Sequence, residues 1–431
     1  MLFLGANMIA NQWLQIPEAE MTLVALSPAI FFVAIASVMR GYFNGRQNIK
    51  ATARSQTIEQ VFKTALTIIL VEIVAIISNV STEWMAGGAT LATTLATMSG
   101  FGYLYLYYKT RRKEIATEIK STVNYKYERV RTIIKKILLV SIPIALTAIM
   151  SSLNKNIDSF TVVRSLKQFM PEDMAIAQYG ILGGKVDTLT SLPLSINVAF
   201  STALVPAISA AKARKDKKTI TEKTSFSLLT SMLIGLPCTI GMCIFAGQIL
   251  NLLFPNASDG TVILQISSLT ILFTILDQTI NGALQGYGKL KIPTISLGVG
   301  VIVKLILNLI LVPIPEIGIN GAAWASVACH AVAFTIAITS LMKNIKLNLT
   351  FSKFVIKPAI ATAIMGICSY FIYSNLLGII SSKLATIVAI ALAVVIYVLA
   401  VIVLKIFNKE EILKMPMGEK IYKMLEKLKI Y

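Results

Sequence analysis

Apolar runs long enough to cross a bilayer follow one another along almost the whole chain. They lie near 22–39, 57–79, 86–108, 132–153, 176–210, 225–250, 262–285, 292–313, 318–342, 354–376 and 383–406. A helix needs about 20 mostly apolar residues to span the hydrocarbon core, whereas a barrel strand needs roughly 10 that alternate. These runs are long and do not alternate, so they predict an all-α, polytopic helical membrane protein. With the apolar stub at 1–10, about 12 spans are expected. Of the 431 residues, 55% are hydrophobic and 14% charged, against about 45–50% and about 25% in soluble domains. One protein interior cannot absorb that much apolar surface, so lipid must cover the excess. The 176–210 run exceeds a single span, and Pro193 and Pro206 are its expected bend points.

The connections between runs set the orientation. One holds Arg40, Arg46, Lys50 and Arg54, and another holds Lys109, Arg111, Arg112, Lys113 and Lys120. Further on come Lys212, Arg214, Lys215, Lys217 and Lys218, then Lys289 with Lys291, then Lys343 with Lys346. The intervening connections at 81–83, 255–259 and 313–316 are short and neutral or acidic. Basic connections belong to the cytoplasmic side, so the formal charge of +19 reports topology and not nucleic-acid binding. The C-terminus is then cytoplasmic. In the tail, Ile421, Met424, Leu425 and Leu428 recur at helical spacing between Lys420, Lys423, Glu426, Lys427 and Lys429. Either an amphipathic helix on the inner leaflet or a solvated tail helix fits that pattern.

Catalytic chemistry has little to stand on. Cys238, Cys243, Cys329 and Cys368 lie in apolar runs with neither CxxC spacing nor histidine partners, and His330 is the single histidine. No Ser/His/Asp set, metal cluster or nucleotide-binding glycine pattern can be assembled. No enzyme and no cofactor are expected.

The segments 38–71 and 279–312 repeat each other without a gap. Gly41 meets Gly282, Gly45 meets Gly286, Lys50 meets Lys291, Ser55 meets Ser296 and Lys63 meets Lys304. Both copies sit on the basic side, which makes the repeat parallel and predicts two pseudo-symmetric helical lobes. Three spans precede this unit in the second copy and only the stub in the first. Symmetry therefore leads us to expect that roughly 100 residues are missing ahead of Met1, the alternative being a genuine short start. The expected organisation is 1–110 as the remainder of an N-terminal lobe, 111–131 as a cytoplasmic linker and 132–345 as a C-terminal lobe. Two additional transmembrane helices follow at 346–407, and the tail at 408–431.

Ionisable residues at membrane depth are costly and therefore functional candidates. Lys155 and Asp158 follow the 132–153 run with Arg164 beyond them; Lys185 and Asp187 open the 176–210 run; Glu59 and Lys63 enter the 57–79 run; Asp277 lies late in the 262–285 run. Lys155 with Asp158, and Glu59 with Lys63, have the spacing to satisfy each other on one helix, and Arg164 has the length to snorkel. Lys63, Lys155, Lys185 and Lys304 come from both halves. Facing a common cleft, they would suit a phosphate or pyrophosphate. The expected substrate-binding set is thus Lys63, Lys155, Asp158, Lys185, Lys304 and Glu59, with the acids positioning the lysines or coupling to an ion. Gly41, Gly45, Gly282 and Gly286, with Arg40 and Arg46, form the second candidate group. They serve either close helix packing or a turn at a cytoplasmic gate.

The stretch Arg40-Gly41-Tyr42-Phe43, with Gly45, Asn48, Gln56, Glu59 and Gln60, resembles the signature of the polysaccharide-transporter family that includes stage V sporulation protein B. Asp158-Ser159-Phe160 and the segment from Ala203 to Ser209 look like two softer motifs of that family. The resemblance implies the multidrug/oligosaccharidyl-lipid/polysaccharide (MOP) flippase superfamily. Its fold has two lobes of six helices plus two extra, of which about 12 would be present here. It also implies a flippase of the bacterial cytoplasmic membrane, working by alternating access. Its substrate would be an undecaprenyl-pyrophosphate-linked oligosaccharide or a peptidoglycan precursor such as lipid II. Coupling would be to Na+, H+ or the membrane potential, and the partners would be membrane lipids and cell-wall synthesis proteins. The competing readings are a cation-coupled multidrug exporter of the same superfamily and a non-transporting scaffold in cell-wall or spore assembly.

Overall fold

In hydrocarbon each backbone N–H and C=O must be satisfied within its own segment, and each apolar run is helical over most of its described residues. The computed structural model describes residues 2–13, 19–46, 48–77, 82–121, 128–255, 257–348, 350–413, 418–419, 422 and 426. The tail positions Lys420, Ile421, Lys423, Met424, Leu425, Lys427, Leu428 and Lys429 lie outside them. Among the described residues, nine helical segments are long and apolar enough to cross a membrane. The protein is a multi-pass, all-helical membrane protein.

The chain divides into two compact units, Met1–Glu128 and Arg129–Tyr431. The first contains α1 (Leu2–Met8), α2 (Ala19–Gly45), α3 (Ile49–Ile77) and α4 (Thr82–Ser121). Here α4 packs along both α2 and α3. Small residues at the seam, Ala92 and Ala96, are fully buried, and Thr94 Oγ1 donates to the Ala25 carbonyl at 2.6 Å. At the basic end Ala36, Phe43, Ala51 and Leu104 form a core, with the rings of Phe43 and Tyr107 edge to face at 5.2 Å.

The second unit begins with α5 (Val130–Leu166). Next come α6 (Glu172–Gly180) and α7 (Asp187–Ala213), joined by a π-helical turn at Ile181–Val186. It continues through α8 (Lys217–Ile244), α9 (Ala246–Leu253), α10 (Thr261–Gly286), α11 (Lys291–Leu311) and α12 (Ile319–Asn344). The last elements are α13 (Lys357–Leu376), α14 (Ser382–Val403) and α15 (Lys409–Leu413). Helix α10 is central, packed against α7, α8 and α12, while α11 packs on α12 and α5. The α13–α14 pair attaches to α8 and α9.

Helix α11 shows how lipid inverts the usual pattern. Ser296, Gly300, Lys304 and Asn308 recur every four residues and are buried, whereas Ile302, Leu305, Ile306, Leu309 and Ile310 are exposed. Residues spaced by four share a helix face, so the polar stripe looks inward. An exposed apolar face of this size fits a lipid surface and not water.

The structure differs from the sequence reading in four places. Helix α5 continues to Leu166, so Lys155, Asp158 and Arg164 lie within it and not beyond it. The 225–250 run breaks at Phe245 into α8 and α9. Helix α4 runs to Ser121, through the first part of the stretch expected as linker. Finally, the 176–210 run is not α-helical throughout: a π-helical turn at Ile181–Val186 interrupts it, and its Gly183-Gly184 pair gives the backbone the freedom to add a residue to the turn. Pro193 and Pro206 lie inside α7.

Candidate functional site

Lys304 lies 13 positions past the start of α11 at Lys291, or about 20 Å along the axis at the helical rise. At that depth an unpaired ammonium is very costly. Its Nζ donates to Asp158 Oδ2 of α5 at 2.6 Å and to the Asn154 carbonyl at 2.9 Å. One turn further along α11, Asn308 Nδ2 donates to Asp158 Oδ1 at 2.9 Å and to Thr161 Oγ1 at 3.0 Å. Both oxygens of the carboxylate are therefore occupied. The side chains of Lys304 and Asp158 are 4% and 9% exposed, so the pair is sealed inside the unit. Helix α12 joins the cluster through Asn154, whose Nδ2 meets His330 Nε2 at 3.3 Å and whose Oδ1 accepts from Cys329 Sγ at 3.5 Å. Close approach of α11 to α12 makes this reach available. A Cβ on Gly300 would lie 2.5 Å from the Cys329 carbonyl oxygen.

Lys155 and Asp187, both exposed, stand around this pair. Asp187 lies within electrostatic range of Asp158, Lys304 and Lys155. Two lysines and two aspartates cancel, so this group carries no net positive charge. The expected self-pairing of Lys155 with Asp158 does not form, because the carboxylate turns inward to α11. Lys185 belongs elsewhere. Its Nζ donates to the Ala257 carbonyl at 2.5 Å and lies 5.5 Å from the centre of the Phe254 ring, at one of the neutral connections and away from Lys304. It does not join the cluster.

In the first unit, Glu59 pairs with Arg40 of α2 at 2.6 Å and not with Lys63. Arg40 also donates to Ser55 Oγ at 3.2 Å, and Ser55 in turn donates to the Gly100 carbonyl of α4 at 3.1 Å. The three helices α2, α3 and α4 are thus tied at one level. Lys63 is exposed. Lys63 and Lys304, equivalent by repeat, consequently differ: one is presented, the other enclosed. Arg46 forms an ion pair with Glu118 of α4 and donates to the Tyr42 hydroxyl at 2.9 Å.

The glycine pairs also diverge. A Cβ on Gly282 would lie 2.6 Å from the Ser201 carbonyl oxygen, and one on Gly286 2.7 Å from that of Val205. Both lie within α10, where their lack of a side chain lets it press against α7. At Gly41 and Gly45, in the last turns of α2, no described atom lies within 4 Å of an added Cβ.

One cluster escaped the sequence reading. At the basic end of the first unit, a pocket of about 290 Å³ is lined by Asn48, Lys50, Arg54, Tyr103, Tyr107 and Arg111, with Ala51 as its floor. Lys50 and Arg54 share a face in the first turns of α3. Arg111 of α4 lies over the Tyr107 ring at 5.1 Å, and Asn48 Nδ2 donates to the Tyr107 hydroxyl at 2.9 Å. Three cations line a concave surface, with Arg111 also pairing with the exposed Glu114 one turn on at 3.9 Å; Lys50 and Arg54 beside it make the arrangement suited to a phosphate-bearing group. The i,i+4 spacings of Lys50–Arg54 and Tyr103–Tyr107 were visible in the sequence, but the pairing of α3 with α4 was not.

Residues 23–389 match the family model described as "Lipid II flippase MurJ". Among curated proteins, the chain is 25% identical over 399 residues to stage V sporulation protein B of Bacillus subtilis (strain 168), covering 91% of this chain and 75% of that protein. It is 27% identical over 437 residues to the uncharacterized membrane protein YabM of the same organism, covering 99% and 79%. Among solved structures it resembles "Lipid II flippase MurJ, inward closed conformation" with a TM-score of 0.62 at 17% identity, over 90% of this chain and 74% of that one. That likeness concerns the fold.

Proposed function

The chain belongs to the family described as Lipid II flippase MurJ, and on that premise we propose that it carries a lipid-linked glycan precursor across the cytoplasmic membrane by alternating access. The substrate class is an undecaprenyl-pyrophosphate-linked oligosaccharide or a peptidoglycan precursor such as lipid II. The observation that carries this reading is the pocket of Lys50, Arg54 and Arg111. It lies on the basic, cytoplasmic end, where such a head group would be collected. A pyrophosphate must exchange its hydration for fixed cations before it can leave water. Lys63, exposed along α3 of the same unit, is the next cation available to it, and Lys155, exposed on α5, is the corresponding open cation of the second unit. Lys304, Asp158, Arg40 and Glu59 hold helices in place. The basic pocket disfavours a cationic drug as cargo.

The test is the full-length protein in proteoliposomes containing a fluorescent undecaprenyl-pyrophosphate glycan, with an impermeant quencher added outside. Transport predicts that the protected inner-leaflet fraction falls faster than in empty vesicles. Gln at Lys50, Arg54 and Arg111 together should slow it. Rates equal to those of protein-free vesicles would remove the flippase reading and leave a scaffold role.

A further inference from the structure

Among the described residues, Asp277 is the one buried acid of the second unit that the Lys304 cluster does not use. It lies nine residues before the end of α10 at Gly286, about 14 Å inside by the helical rise, and is 7% exposed. Asn281, one turn on, donates its Nδ2 to Asp277 Oδ2 at 2.8 Å. The other two oxygens of this pair, Asp277 Oδ1 and Asn281 Oδ1, are both buried and lack a hydrogen-bond partner. Buried polar atoms are nearly always partnered. Two orphan acceptors on hydrogen-bonded residues one helical turn apart, one of them on a carboxyl group in the membrane interior, require a donor.

The surroundings supply no cation. On α12, Cys329 is in electrostatic range of Asp277, while His330 turns its Nε2 to Asn154 and Lys343 stands in the last turn. On α11, Lys304 is committed to Asp158 and Lys291 is the first residue of the helix. Helix α7 carries Asp187 and Lys212 at its two ends. Helix α8 carries Lys217, Lys218, Glu222 and Lys223 in its first turns and Cys238 and Cys243 near its end. Lys185, in the π-helical turn, is spent on Ala257, and α9 has no titratable side chain. The opposite side of α10 is fixed to α7 and α8 by an uncharged network. There Asn197 Nδ2 donates to the Ile275 carbonyl at 2.9 Å, and Ser231 Oγ donates to Asn197 Oδ1 at 2.8 Å.

We infer that Asp277 and Asn281 form a proton-binding site in the membrane interior of the second unit, with the proton on Asp277 Oδ1 shared toward Asn281 Oδ1. An acid and a carboxamide joined by two antiparallel hydrogen bonds each donate once and accept once. One proton thereby provides both orphan oxygens with a partner and removes the charge. A metal ion is the poorer occupant, because hard cations take about six oxygen ligands and this pair offers two unpartnered oxygens. Releasing the proton leaves a carboxylate that needs water or a cation, so the α10–α12 seam must open before or as the proton departs. Occupancy and conformation are then linked, which is the property a coupling ion needs. That coupling role rests on the transport reading above; the proton site itself does not.

The experiment is infrared difference spectroscopy on the purified full chain in lipid nanodiscs while the pH is raised, with no substrate present. The inference expects a protonated-carboxyl carbonyl band at neutral pH that vanishes on alkalinisation and is missing in Asp277→Asn, a variant isosteric with the neutral acid. Asn281→Leu should retain the band but shift it toward a free acid, because the sharing amide is gone. Dicyclohexylcarbodiimide, which attacks neutral buried carboxyls, should label the Asp277 peptide in the native protein at neutral pH and fail at high pH. A spectrum unchanged by Asp277→Asn, or an Asp277 peptide that is never labelled, would overturn the site. A band that responds to sodium at fixed pH would also overturn it, in favour of a metal ion. Positive spectra with no glycan transport would overturn the flippase reading and leave the proton site standing.

Discussion

Removing either partner of the Lys304–Asp158 pair should cost far more than removing both. The two side chains are 4% and 9% exposed and 2.6 Å apart, so Lys304→Met leaves a buried carboxylate with only the Asn308 amide, and Asp158→Asn leaves a buried ammonium with only the Asn154 carbonyl. Uncompensated buried charges of this kind cost about 3–5 kcal/mol, whereas replacing the whole pair with neutral groups is often close to neutral. For a unit of this size, each single variant should fall on the order of 10 °C in apparent Tm. The double variant should recover most of that loss. A thiol-reactive dye makes the measurement in detergent, in a background where the half-buried Cys238, Cys243 and Cys368 are replaced by Ala, because Cys329 is fully buried beside the pair and reacts only when the helices part. The double-mutant cycle should give a coupling of several kcal/mol. If the two single losses simply add in the double variant, or if Lys304→Met melts like the native protein, the pair does not hold α5 to α11 and the argument from burial fails.

Other expectations are simpler to state. Gly282→Ala should destabilise by about 1–3 kcal/mol through overpacking against the Ser201 carbonyl, while Gly41→Ala should be neutral or gain up to about 1 kcal/mol of helix propensity; the same thermal assay compares them, and equal responses would contradict the packing difference. Reversing Arg40 and Glu59 together should restore part of the Tm lost by either reversal alone, since the pair is cross-helix. At the N-cap of α8, Asp216 accepts from the Thr219 hydroxyl at 2.6 Å and from its backbone N–H at 3.0 Å, and these bonds hold its carboxyl below the usual carboxylate range. The folded value lies under the unfolded one, so the cap's contribution is present above the unfolded value and is lost as pH falls through the folded one. The Tm gap between the native protein and Asp216→Ala should therefore close in acid, and a gap that persists there would refute the charge argument.

Length and hydropathy made the helices legible, because hydrocarbon thickness imposes the length and an unpaired backbone forbids any alternative. What hydropathy concealed were polar segments buried against other helices. Asn154, Lys155, Asn156 and Asp158 interrupt the apolar run, which suggested that α5 ends there. The helix continues because α11 and α12 provide the partners that water would otherwise provide. The resemblance carried by Arg40, Gly41, Gly45 and Glu59 led to the family that the comparisons then showed, yet it said nothing about which charges are open. Arg40 and Glu59 turned out to satisfy each other. The pocket of Lys50, Arg54 and Arg111 was counted only as loop charge, because its concavity depends on α3 meeting α4.

The repeat makes the same point from the other direction. Lys63 and Lys304 occupy the same position in two copies of one helix, and a sequence comparison must treat them alike. Their four-residue stripes differ, however: Ser55, Glu59 and Lys63 in α3 against Ser296, Gly300 and Lys304 in α11. Glycine at position 300 lets α12 approach until its Cys329 backbone is in contact, and the lysine one turn later is enclosed and needs Asp158. Glutamate at position 59 sits against Gly100 of α4 instead, where a Cβ on the glycine would be 3.2 Å from Glu59, and it recruits Arg40. Lys63 is left facing outward. The residue one turn before each lysine thus meets different neighbours, Gly300 the α12 backbone and Glu59 the α2 and α4 helices. Exchanging the two residues tests this directly: Gly300→Glu should crowd α12 and release Lys304 to an amine-reactive probe, whereas Glu59→Gly should leave Lys63 as reactive as before.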